Sequence, residues 1–436
     1  MSQQKRVLII TYYWPPAGGA GVQRPLKFSK YLPEFGWEPV VFTAEDPHYP
    51  MEDASLLAQV PEDLQIVRCP IWEPYDLYRK LLGYKKDEKV QAGFIEEREQ
   101  NNKLVGIAKW VRGNLFIPDA RKYWIKPATK KLLAFLKEHP VDAIFSTGPP
   151  HSVHLIAEAV KKKTGIPWVA DFRDPWTNID FYDQLKLSKW ADKQHHEQEH
   201  RVLTVADEVA TVSWQWAKEL GAISGKPVHV ITNGYDHADF EFDQSTLDSK
   251  FTISHVGTAT KDRNPHALWR VLIKLSNELP GFKRDLLIRF IGKTDYSLFR
   301  SIEAAGLGEQ LERIDHLPYT EAIRCAAKSQ LLLLLVNDAL NSVGRIPLKV
   351  FEYLPCRRPV LGIGLAEGDA ARIIHDMSAG KVFNFEDETG IEQFLRSAYA
   401  DYCDKNLHLP DRDFMGYSRQ RLSGALADLL DSLLGD

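Results

Sequence analysis

The sequence predicts an α/β protein made of two Rossmann-like domains, each a doubly wound parallel sheet. Three observations predict it: short continuous apolar runs alternating with helical spacing, glycine-bearing turns directly after several of those runs, and a turn-rich seam between two similar series. Apolar strands without polar alternation mark sheets covered by helices on both faces. At 436 residues the chain is also long for one hydrophobic core, given domains of roughly 100–200 residues.

In the first half, strands are expected at 6–10, 39–42, 143–146, 168–172, 209–212 and 228–232. In the second they are expected at 251–256, 286–291, 331–336, 359–363 and, more weakly patterned, 382–385. The segment 151–163 reads as a helix, with Val153, Ile156, Ala157 and Val160 along one side. Lys161, Lys162 and Lys163 suit its negative C-terminal end, and Gly165 and Pro167 stop it. The seam opens at Asn233-Gly234-Tyr235-Asp236, and a linker is expected over about 233–250.

One domain is therefore expected over 1–235 and the other over 250–415. The first carries an insertion at about 46–125, rich in Trp, Tyr and charge, in which 92–110 reads as a helix. A last helix is expected at 418–434, with Leu422, Leu426, Leu429 and Leu433 on one stripe. No sequence repeat of 20–50 residues is visible, so any duplication is one of architecture.

With 44% hydrophobic and 26% charged residues the composition is that of an ordinary globular protein. A net charge of -4 offers nothing to nucleic acid, which is met by a basic surplus. The four cysteines form no C-x-x-C pair, which argues against a disulfide framework or a zinc site and fits a reducing cytoplasm. No apolar run approaches the roughly 20 residues that a bilayer requires, and none resembles a signal peptide.

Five segments carry residues suited to chemistry. After the first strand, Gly18-Gly19-Ala20-Gly21 lets the backbone turn sharply into a helix start, where N–H groups favour an anion. Arg24 stands where a dinucleotide fingerprint has its third glycine, and only Glu45 approaches the acidic position after the second strand, which disfavours a redox site. His151, in Gly148-Pro-Pro-His151, lies at a strand end; general base, hydroxyl partner and helix cap all stay open. Asp171-Phe-Arg173-Asp174 reads equally as a loop-holding ion pair or as a carboxylate aimed at a ligand. In the second half, Gly257 is followed by Lys261 and Arg263, a glycine turn with cations that suits a diphosphate. Finally, Pro347 suits a first helical turn, placing Lys349 and Glu352 about one turn apart, with Arg345 just before them.

The order of these motifs resembles GT-B glycosyltransferases of the retaining, family-4 type: Gly-Gly-x-Gly after strand one, Asn-Gly-x-Asp at the seam, Val-Gly after the first second-half strand, and Lys-x-Phe-Glu-Tyr-Leu before Arg-Pro-Val-Leu. The resemblance spans nearly the whole chain and is weakest across about 46–140. It implies two domains facing across a cleft, a donor nucleotide-sugar on the C-terminal domain, an acceptor mainly on the N-terminal one, and a terminal helix returning to the first domain. It puts Gly19 and Gly21 beneath the donor phosphates and transferred sugar. Lys261 or Arg263 then holds the diphosphate and Glu352 the ribose, with Gly257, Arg345 and Lys349 also in the donor site. Asp174 or Arg173, with His151 beside it, takes the catalytic or orienting place, and Arg24 falls on the acceptor side. Members of this type generally work without metal or cofactor.

One departure matters. The family commonly has a glutamate eight residues before the ribose glutamate, and here that position is Gly344; Asn341, Ser342 or Arg345 is the available substitute. The resemblance thus implies transfer to a glycan or lipid-linked hydroxyl in surface polysaccharide or glycoconjugate synthesis, but not which sugar. Trp72, Tyr75, Tyr78, Arg79, Lys80, Tyr84, Lys85 and Lys86 interleave aromatic and basic groups, as at a membrane surface, so the inner face of the membrane is a second expected location. A sugar-nucleotide epimerase of the same build and a non-catalytic nucleotide-sugar binder are the competing readings.

Overall fold

A computed structural model describes residues 4–74, 103–179, 182–315, 317–337, 342–405 and 413–435. The chain divides into two compact units, Met1–Asn233 with Arg419–Asp436, and Gly234–Ser418. All of 75–86, the N-terminal part of the 92–110 helix and Asn341 lie outside the described residues.

The first unit holds a parallel sheet: β1 (Lys5–Ile10), β2 (Trp37–Glu45), β3 (Gln65–Pro70), β4 (Ala143–Gly148), β5 (Trp168–Phe172), β6 (Glu208–Thr211) and β7 (His229–Val230), in the order β3-β2-β1-β4-β5-β6-β7. Val7 stands opposite both Pro39 and Ala143, so β1 is flanked by β2 and β4. The inner strands are apolar throughout because helices cover both faces; every residue of β4 and β5 is buried. The edge strand β3 was not legible as an apolar run. Its Gln65-Ile-Val-Arg68 segment is half-exposed and carries charge, as unpaired edges usually do.

The C-terminal helix Arg419–Ser432 belongs to this unit. It buries Leu422, Leu426, Leu429 and Leu430, each contributing about 1.5–3 kcal/mol relative to exposure. Gly424 permits the close approach: a Cβ there would sit 2.8 Å from the Phe35 ring. Trp37 Nε1 donates to Asp431 at 2.8 Å, and Lys5 pairs with the same carboxylate.

The second unit holds β8 (Phe251–Val256), β9 (Leu286–Ile291), β10 (Leu311–Ile314), β11 (Leu331–Leu335), β12 (Val360–Ile363) and β13 (Gly380–Phe383), in the order β10-β9-β8-β11-β12-β13, again parallel. Its core gathers the five leucines of β11 with Phe251, Phe290, Trp269 and Phe282. The half-exposed edge strand β10, Leu-Glu-Arg-Ile, escaped sequence reading for the same reason as β3. Among the described residues no helix is long and apolar enough to cross a membrane.

Candidate active site

In the first unit the loops after β1, β4 and β5 meet at the carboxyl ends of neighbouring strands, beside the point where the strand order turns from β1 to β4. Open α/β sheets bind ligands at such points. Gly19 precedes the helix Ala20–Tyr31 with φ 84°, a left-handed value that favours glycine. A Cβ on Gly21 would lie 3.0 Å from the Tyr13 ring, so both loop glycines meet a backbone or steric need. The loop is pinned by Gly18 N–H donating to Met51 C=O (2.9 Å) and Asp53 N–H to Pro16 C=O (2.7 Å).

Two arginines expected near the ligand are scaffold residues instead. Arg24 is 1% exposed, and its guanidinium donates to both Asp171 carboxylate oxygens (2.9 and 2.7 Å) and to Thr232 C=O (2.8 Å). Thr147 Oγ1 donates to the same carboxylate at 2.6 Å. Arg24 is thus no acceptor contact, because its fork is filled inside the core. Arg173 donates from Nε to Gly148 C=O (3.1 Å), from Nη1 to Gly21 C=O (2.6 Å) and from Nη2 to Pro149 C=O (2.7 Å). One guanidinium fastens three loops, with every one of its three nitrogens donating to a backbone carbonyl.

His151 sits where the loop after β4 enters the helix Ser152–Thr164. It does not cap that helix: Asp119 accepts from Ser152 N–H (2.9 Å) and Ser152 Oγ (2.6 Å). The imidazole lies parallel to the Trp176 indole, 4.5 Å between centroids and 4° between planes. Its Nδ1 is buried without a hydrogen-bond partner. Burial above all pushes its pKa down to about 4, Asp119 opposing and His195 and Arg173 assisting, so the ring is neutral at neutral pH. A proton on Nδ1 would bury an unsatisfied donor, so the proton belongs on Nε2, the nitrogen a ligand can reach. Asp174 is half-buried on the adjoining loop.

In the second unit the turns after β8 and β9 run side by side. Gly257 N–H donates to Ile291 C=O (2.7 Å) and Ala259 N–H to Lys293 C=O (3.0 Å). Gly292 has φ 107°, and a Cβ there would lie 3.1 Å from Gly257 C=O. Gly257 has φ 93°, and its Cβ would strike Lys349 Cε at 2.8 Å. Lys349 comes from the helix Leu348–Tyr353, which Pro347 precedes instead of entering. Its Nζ donates to Thr258 C=O (3.1 Å) and lies 3.3 Å from His255 Nε2. Arg263 Nη1 reaches the same carbonyl at 3.4 Å. Burial first, then Arg263, lowers the Lys349 pKa to about 7, with Glu352 opposing.

Two cations meeting at one carbonyl, beside two glycine turns, make a seat for an anion. Lys261 is exposed at the start of this turn, Glu352 half-buried on the lysine's own helix, and Arg345 half-buried behind the turn Ser342–Gly344. A cavity of about 330 Å³ opens next to the anion seat, lined in part by Phe290, Gly292, Lys293, Phe299 and Arg313. Sequence reading gave no role to His255 or Tyr353. His255 is fully buried in β8, its Nδ1 2.9 Å from Leu333 C=O, and Tyr353 Oη accepts from Val256 N–H at 3.0 Å. A histidine inside an otherwise apolar strand, two residues before a glycine turn, was the available signal.

Residues 18–234 match the model of the glycosyl transferase 4-like domain. No curated protein sequence matches the chain. Similar solved structures include sucrose-phosphate synthase from Thermosynechococcus elongatus (13% identity, 99% of this chain and 95% of that one, TM-score 0.55). Another is the trehalose-6-phosphate phosphatase N-terminal domain of Candida albicans (12%, 99% and 97%, TM-score 0.63). A third is S. aureus TarM in complex with fondaparinux, alpha-GlcNAc-glycerol and UDP (9%, 98% and 100%, TM-score 0.56). At these identities the likeness is one of fold, and the domain match carries the chemistry. Together with the two parallel sheets they make the chain a glycosyltransferase of the GT-B fold, residues 18–234 forming its glycosyl transferase 4-like domain.

Proposed function

We propose that the protein moves a sugar from a nucleotide-sugar, held by the second unit, to a hydroxyl of a glycan or lipid-linked acceptor presented on the first. The observation that carries this reading is the meeting of Lys349 and Arg263 on Thr258 C=O beside Gly257. Like charges so placed repel, and a diphosphate removes the penalty while receiving their hydrogen bonds. The UDP carried by the S. aureus neighbour supports a nucleoside diphosphate as the leaving group. The cavity beside the anion seat has room for a nucleoside, and Glu352 is the carboxylate for its ribose hydroxyls.

In the reaction, the acceptor oxygen bonds to the anomeric carbon. The bond from that carbon to the diphosphate breaks with its electron pair on the leaving oxygen, which also receives the acceptor proton. Developing charge on the leaving group is met by Lys349, Arg263 and Lys261. Neutral His151 donates from Nε2 to a sugar hydroxyl, with Asp174 nearby. Retention at the anomeric carbon, without a metal, follows from the family resemblance.

A thermal-shift screen of UDP-, GDP-, ADP- and dTDP-sugars tests the reading; one class raises Tm, and no shift with any of them overturns it. Exposed Trp72, packed edge-on against Tyr123 at 5.3 Å, supports a lipid-linked acceptor as the aromatic border of the segment 72–86. Flotation with anionic vesicles that leaves the protein at the bottom of the gradient removes that part.

A further inference from the structure

The face-to-face stack of His151 on Trp176 is held by an apparatus of its own. The indole Nε1 donates to His195 Nδ1 at 3.0 Å. An indole N–H only donates, so His195 Nδ1 bears the lone pair and its proton sits on Nε2, facing Gly113 C=O at 3.4 Å. The backbone of the same turn is bound separately. Trp176 N–H and Thr177 N–H approach Glu199 Oε1 at 3.2 and 3.4 Å, and Thr177 Oγ1 donates to Oε2 at 2.5 Å. His195 and Glu199 lie four residues apart, on one face of the helix Lys189–Val205. Trp176, His195 and Glu199 are 3%, 4% and 1% exposed.

A buried carboxylate and a buried imidazole are costly to keep inside a protein. Here the imidazole is committed to the Trp176 indole and the carboxylate to the turn that carries it, and the indole face lies against a histidine with a buried, unpartnered Nδ1. Core filling by itself would not require the His195 bond: an apolar side chain in place of the indole has no N–H to donate to that imidazole.

We propose that Trp176, fixed by His195 and Glu199, is a positioning residue for the transfer reaction: its indole face sets the plane of the His151 ring and so aims Nε2 at the sugar hydroxyl it serves. This rests on the reading of His151 as a substrate contact. Trp176, His195 and Glu199 touch no substrate themselves; they act through His151. Because the donor seat lies on the other unit, loss of the platform changes turnover and not donor affinity.

The test compares Trp176→Leu, which removes the ring, with His195→Leu, which removes the acceptor, and His195→Gln, whose amide supplies both an acceptor and a donor. The His151 ring protons, assigned by difference from His151→Gln, are displaced upfield in wild-type NMR spectra by the indole. Trp176→Leu abolishes the displacement, His195→Leu reduces it and His195→Gln restores it. With the nucleotide-sugar found by screening, kcat falls on the order of 10- to 100-fold in Trp176→Leu, as for a reacting group misplaced by about 1 Å, while donor KM stays within about twofold. His195→Gln recovers most of the kcat lost in His195→Leu. Undisplaced wild-type resonances, or wild-type kcat in a folded Trp176→Leu protein, overturn the proposal. Should the wild-type protein turn over no nucleotide-sugar, the transferase reading falls and the positioning role with it, and the NMR comparison still decides the anchoring separately.

Discussion

Lys349 Nζ lies 3.3 Å from Nε2 of His255, a histidine wholly buried in β8. Since His255 Nδ1 faces Leu333 C=O at 2.9 Å, that nitrogen holds the ring's proton and Nε2 is left to accept from the lysine. The imidazole is kept neutral by burial first and by the Lys349 charge second. A neutral acceptor thus steadies a lysine without cancelling the charge that an anion would meet.

This arrangement sets a pH dependence. Burial and Arg263 bring the Lys349 pKa down to about 7, against Glu352, and His255 adds no charge of its own. Without ligand, Lys349 therefore loses its proton as pH rises through about 7. An anion favours the charged form, so nucleoside diphosphate affinity falls above that pH, and binding near neutrality takes up protons. Calorimetry in two buffers of different ionisation enthalpy measures the uptake; Lys349→Gln binds more weakly and loses it. Equal heats in both buffers would contradict the assignment.

Gly257→Ala attacks the same seat without touching a charge. The new Cβ meets Lys349 Cε at 2.8 Å on a backbone at φ 93°, so the lysine side chain must leave Thr258 C=O. Losing one charge-assisted hydrogen bond, about 1.5–3 kcal/mol, weakens nucleotide binding on the order of 10- to 100-fold. Titration calorimetry on the variant, with circular dichroism to confirm folding, checks the figure.

Glu352→Ala is expected to abolish transfer while leaving the protein folded. The residue is half-buried, and on the proposed function its removal takes away the carboxylate for the ribose hydroxyls. Product formation at the wild-type rate would remove Glu352 from the site.

Arg24 and Asp171 give a stability prediction. Breaking a buried ion pair from one side costs about 3–5 kcal/mol because the remaining charge stays desolvated. Arg24→Met or Asp171→Asn should shift the unfolding transition of the first unit accordingly and leave that of the second in place. The double variant Arg24→Met with Asp171→Asn should lose less than the sum of the single changes, measured by urea unfolding.

Strands buried on both faces were legible as apolar runs: 168–172, 251–256 and 286–291 coincide with β5, β8 and β9. The edge strands β3 and β10 were not, because a half-exposed strand with Arg68 or with Glu312 and Arg313 has no continuous apolar signature. Pro347 was expected inside the helix and stands just before it, since the fold uses its fixed φ to leave the preceding turn extended. Within the site, glycines and cations could be read from their neighbours in sequence, whereas the partners of buried histidines could not. The Trp176–His195 bond joins residues 19 apart across a turn and a helix, and the His255–Lys349 contact joins residues 94 apart.

The sequence by itself determined the two parallel sheets and the glycine turns that follow their strands, because periodicity and glycine placement are local properties. Only the tertiary structure decided which charges are free to serve a ligand. Arg24 and Lys349 each follow a glycine turn in the chain. Strand order brings Asp171 of β5 onto Arg24, where two oxygens fill its fork. Lys349 hydrogen-bonds a carbonyl and a neutral imidazole, which orient it without pairing its charge.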